Sequence, residues 1–171
     1  MYKKIKLVGA IIWIILTFIS HFIYEIFPNN LIASFFPINE SIWEHMKLFV
    51  TPGIIVFILE YIYMKKKRIC IQNNYLALLV ELMSSIGIFL TIFLPYYFKF
   101  EHNLIITVLM MSFAILISKY LGYLIMNEKN DLILNIIAIP IITIILILNI
   151  IFTFSPPNNL LFIDPTKNST S

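Results

Sequence analysis

Five apolar runs of about 20 residues each constrain this chain more than any other feature, because each is long enough to cross a hydrocarbon layer of ~30 Å as a helix. They fall at about 7–27, 41–64, 75–98, 103–126 and 132–154. The alternating pattern of a transmembrane β-strand is absent. Backbone polar groups must find partners inside lipid, so helices are the spanning form that remains. The expected fold is all-α, a polytopic integral membrane helix bundle of about five transmembrane helices. Residues 1–154 are expected to form a single transmembrane helical domain, with 155–171 as an extracytoplasmic C-terminal tail. Composition agrees: 60% of the residues are hydrophobic and 12% charged, whereas a soluble domain is roughly half apolar and about a quarter charged.

The first run follows Lys3, Lys4 and Lys6 and could pass for a signal peptide. It is longer than a signal core and no small-x-small site follows it, so a retained first span is expected. Lys and Arg near span ends set the orientation. Lys3, Lys4, Lys6, Lys65, Lys66, Lys67, Arg68 and Lys129 fall on one side of a five-span arrangement, and Lys47, Lys99 and Lys167 on the other. That bias puts the N-terminus in the cytoplasm and the C-terminus outside, in a multi-pass protein of the cell membrane. The net charge of +3 is spent on topology and forms no patch suited to nucleic acid. The partner expected first is the lipid bilayer. A second copy of the chain or a membrane partner subunit is left open. The one cysteine, Cys70, forms no internal disulfide and reads as a free structural thiol.

The stretch PINESIWEHMK, residues 37–47, stands out against this background. Ser41 followed three residues later by Glu44 is a capping-box pattern, so the second helix is expected to start near residues 39–41. With its Lys65 end at the cytoplasmic surface, Glu44 and His45 fall near the outer boundary and Glu40 in the headgroup zone. In the first span Glu25 falls at the same boundary, with His21 one turn deeper. His21 and Glu25 are four apart and share a helix face, as do Glu40 and Glu44. His102 begins the fourth span on the same side. Imidazoles and carboxylates together suit zinc, manganese or iron, so His21, Glu25, Glu44 and His45 are the candidate ligands of a divalent transition metal. They also suit proton transfer or binding of a polar solute. The plainer reading makes Glu40 and Glu44 helix caps, Lys47 their ion-pair partner and Trp43 an interface anchor.

A second polar set lies in the cytoplasmic half. Glu60 is about a turn from Lys65, and Glu81 and Lys119 sit at similar depth on antiparallel neighbours. An unpaired charge there costs ~3 kcal/mol or more, so a structural Glu81–Lys119 pair is favoured over a proton or cation coupling site. Thr51-Pro52-Gly53 should bend the second span, either as a static kink, the commoner case, or so as to open a cavity under the outer site. Ser84, Ser85 and Gly87 suit close helix packing. Asn168-Ser169-Thr170 fits a glycosylation pattern.

Asn39-Glu40-Ser41-Ile42-Trp43-Glu44-His45 with Lys47 carries a resemblance. It is preceded by His21 to Glu25 and followed by Pro156-Pro157, Leu161-Phe162 and Asp164-Pro165. With these the chain resembles a family of small bacterial integral membrane proteins catalogued only as a domain of unknown function. The resemblance implies a polytopic membrane protein and no activity. Three functions stay open. The first is binding or transport of a cation or small polar solute through an outward-facing site of His21, Glu25, Glu40, Glu44 and His45, with Glu81 and Lys119 as an inner relay. The second is a metal-dependent enzyme acting on a lipid or lipid-linked substrate. The third is a non-catalytic accessory or regulatory subunit.

Overall fold

The computed structural model describes residues 2–100 and 103–164. His102 and the Asn168-Ser169-Thr170 pattern therefore lie outside the described residues. The described chain is all-α: α1 (Tyr2–Ile26), α2 (Asn30–Phe35), α3 (Ile42–Lys66), α4 (Asn74–Lys99), α5 (Leu104–Asn127) and α6 (Leu132–Phe154), then a short 3-10 turn at Leu160–Phe162. Five of these helices are long and apolar enough to cross a membrane, all but the six-residue α2. Three of the five begin on a local cap. Ser41, Asn103 and Asp131 accept hydrogen bonds from free N–H groups of the first turns of α3, α5 and α6. The first turn of α4 is capped from another helix: Asn135 of α6 accepts from the N–H groups of Tyr75 and Leu76 at 2.9 and 3.1 Å.

One end of the bundle gathers the start of α1 and the α3–α4 and α5–α6 connections. There the Tyr2 hydroxyl donates to the Cys70 carbonyl, and Asn73 donates to the carbonyls of Ile125 and Lys129. The opposite end gathers α2, the start of α3 and the end of α6. Trp43 stacks on Phe162 of the 3-10 turn with ring centroids 5.0 Å apart, which folds the chain after α6 back over α3. Between the ends, Trp13, Phe49, Leu82, Phe89, Ala114 and Ile115 make a fully buried core. Outward-facing Ile, Leu and Phe residues cover the helices elsewhere, as suits a lipid surround.

Pro52 lies inside α3, which runs from Ile42 to Lys66. Proline has no N–H to give the Leu48 carbonyl one turn earlier. Thr17 of α1 supplies the missing donor, its hydroxyl reaching the Leu48 carbonyl at 2.9 Å. Thr17→Val is therefore expected to lower stability by about 1–3 kcal/mol, the cost of an orphaned buried carbonyl, as read by unfolding in mixed micelles. A smaller loss in Thr17→Ser than in Thr17→Val would tie the effect to the hydroxyl. One expectation changes at Gly87: a Cβ there would meet nothing within 4 Å, so it mediates no close helix contact.

Candidate functional site

Polar side chains collect at three places. At the lysine-rich end, Lys6 of α1, Glu60 of α3, Glu81 of α4 and Lys119 of α5 form a closed ring. Lys6 lies 2.7 Å from Glu60 and 2.6 Å from Glu81, and Lys119 lies 2.7 Å from Glu60 and 2.8 Å from Glu81. All four are buried. Two ammoniums and two carboxylates sum to zero, so the ring carries no net charge into the bundle. Glu60 accepts a hydrogen bond from each lysine, while the same ammoniums meet Glu81 off the hydrogen-bond axis. Trp13 lends its ring face to Lys119, 5.2 Å from the ammonium. Two glycines make the room: a Cβ at Gly9 would collide with the Glu60 carboxylate, and one at Gly122 with Glu81. Gly122→Ala is thus expected to lower stability by about 1–3 kcal/mol through overpacking. Gly87→Ala serves as the neutral or stabilising control in the same thermal melts.

At the opposite end Glu44 and Lys47 tie helices together. The Lys47 ammonium donates to Glu44 at 2.7 Å and to the Ala33 carbonyl of α2 at 2.7 Å. Glu44 also accepts from the Ile38 N–H at 3.0 Å and the Thr153 hydroxyl of α6 at 3.2 Å. The capping box is half formed. Ser41 accepts from the Glu44 N–H, but the Ser41 N–H goes to Asn39 instead of the Glu44 carboxylate.

Beside this tie, Glu40 stands between two imidazoles. Its carboxylate lies 3.5 Å from His21 Nε2 and 3.4 Å from His45 Nε2, with the rings 5.6 Å apart. Glu40 precedes the helix, so helical period does not bind it to the Glu44 face, and it turns the other way. His45 Nδ1 lies 2.9 Å from the Ser41 carbonyl, which accepts and so requires the proton on Nδ1. A hydrogen bond from His45 Nε2 to Glu40 then needs a second proton on the pair. Charge-assisted hydrogen bonds close to about 2.7–2.9 Å; these groups stand farther apart, and the Glu40 side chain keeps 38% of its surface exposed. They head a cavity of about 380 Å³ between α1 and α5.

A model described as a family of unknown function (DUF6512) matches residues 1–169. The chain belongs to that family. No curated protein and no solved structure matches it. Family membership supplies no chemistry, so placement of the residues has to. Of the outer candidates, the structure brings His21, Glu40 and His45 together. Glu44 is committed to Lys47, to the Ile38 N–H ahead of α3 and to Thr153 of α6, and Glu25 is exposed. Among the described residues no group of three or more His, Cys, Asp or Glu side chains is arranged to hold a metal ion. Glu81 and Lys119 do pair, inside the larger ring. Lys6 was missed because it counts equally well as a topology charge. The signal was an imbalance: Glu60 and Glu81 outnumber Lys119, and Lys6 is the cation nearest in depth.

Proposed function

We propose that this protein is a binding protein of the cell membrane whose outward-facing site receives a cationic or hydrogen-bonding polar group on Glu40, between His21 and His45. The observation that supports it is the open clamp of 3.4–3.5 Å contacts at the head of a cavity. With neutral imidazoles the carboxylate is the formal charge of the three, and it favours an ammonium. His45, with its proton on Nδ1, adds an acceptor at Nε2, and His21 donates or accepts according to its tautomer.

Binding is favoured over passage. Below the clamp the hydroxyls of Thr17, Thr107 and Ser112 all donate to backbone carbonyls, at 2.9, 3.1 and 2.8 Å. Each keeps only acceptor lone pairs for a visitor, and the described lining below the clamp is apolar apart from these three. The inner ring is closed among its own four members and offers no vacancy to a relay.

The test uses ¹³C-histidine-labelled protein in detergent micelles, titrated with ethanolamine. The His21 and His45 resonances should move together and saturate, and Glu40→Gln should abolish the response. Resonances that stay put, or that move equally in Glu40→Gln, overturn the proposal.

A further inference from the structure

We infer that the ligand of this site is a lipid of the outer leaflet with an amine in its headgroup. The ammonium sits on Glu40 and one hydrocarbon chain lies in the cavity between α1 and α5. This rests on the binding function just proposed and names its ligand class.

The shape of the cavity carries the inference. Below His21, Glu40 and His45 it is lined by apolar side chains such as Ile14, Leu48, Met111 and Ile115. Three hydroxyls also line it, and each gives its proton to a backbone carbonyl. They offer a polar solute acceptor oxygens and no free donor, whereas a hydrocarbon chain needs no partner. The length fits as well. On α5 the lining runs from Leu104 at the helix start to Ile115, ~16 Å at about 1.5 Å per residue. That is roughly half of a ~30 Å hydrocarbon layer, the depth of one leaflet. The volume of about 380 Å³ is in the range of small-molecule sites.

The mouth of the cavity faces hydrocarbon. Ile15, Phe18, Ile19, Phe22 and Leu104 stand on its rim and are exposed, Phe18 at 55% and Leu104 at 57%. A lipid enters sideways without leaving the bilayer. Its chain gains little from the move, since lipid tails are as apolar as the lining. Selectivity therefore lies in the headgroup. An ammonium meets Glu40.

The experiment uses the full chain in lipid nanodiscs with a phosphatidylethanolamine probe that carries a diazirine midway along one chain. After irradiation, adducts are located by mass spectrometry. Adducts should map to the α1–α5 cavity and be competed by unlabelled phosphatidylethanolamine but not by phosphatidylglycerol. Glu40→Gln should reduce them about tenfold or more, the worth of one hydrogen bond to a charged group. Ile15→Trp, on the exposed rim, should block the chain and abolish the adducts while leaving the ethanolamine response of His21 and His45 intact. Cavity adducts that are equal for both headgroups and indifferent to Glu40→Gln would mark bulk lipid and overturn the inference. No cavity adducts, with ethanolamine still moving both histidines, would overturn the lipid ligand and leave the binding site standing. Silence in both assays would remove both.

Discussion

Lys119→Met is expected to lower stability by about 3–5 kcal/mol, the usual cost of removing one member of a buried ion pair. The variant keeps Glu60, Glu81 and Lys6, so one carboxylate stays buried without a countercharge. Removing a second, opposite member should repair the damage. Lys119→Met with Glu81→Met leaves the Lys6–Glu60 pair, which is 2.7 Å long and neutral as a unit. The double variant should recover most of the loss, since replacing buried pairs by apolar side chains is often neutral. The measurement is reversible unfolding in mixed micelles, run as a double-mutant cycle. Additive losses in the double variant would show that the four residues do not act as one unit.

Lys47→Met should cost a similar amount, about 3–5 kcal/mol, but the damage should be local first. Lys47 is 1% exposed and its ammonium bridges Glu44 to the Ala33 carbonyl of α2. Without it, Glu44 keeps the Ile38 N–H and the Thr153 hydroxyl, while α2 loses its hold on α3. Limited proteolysis should cut within residues 27–41 before the rest of the protein opens. Lys119→Met should show no such early cut. An unchanged digestion pattern with unchanged stability would remove the tether assigned to Lys47.

Span positions were readable because length and apolarity alone define them, and all five survive with ends shifted by at most five residues. The largest shift is at Tyr2. There α1 starts early because Lys6 points into the bundle, where its charge is matched. The helix α2 was not expected. Six residues are too few for a periodic signal, although Asn29, which caps Ile32 at 3.0 Å, was there to be noticed. The outer site was half readable. His21 and His45 followed from depth, but the share of each carboxylate did not. Helical spacing paired His21 with Glu25. The chain instead delivers Glu40 from the segment ahead of α3, where period gives no information. Glu44 looked available because its partners at Ile38 and Thr153 come from elements whose approach no local pattern records.

The ring has a consequence for how the chain enters a membrane. Lys6 and Glu60 lie on α1 and α3, and Glu81 and Lys119 on α4 and α5. Each successive hairpin thus carries one ammonium and one carboxylate, and each can be delivered to the bilayer electrically balanced while synthesis continues. When the two hairpins dock, Lys6 reaches across to Glu81 and Lys119 to Glu60, and two separate pairs become a single knot. Biogenesis then needs no stage at which a completed hairpin carries an unmatched ring charge while it waits for the next one.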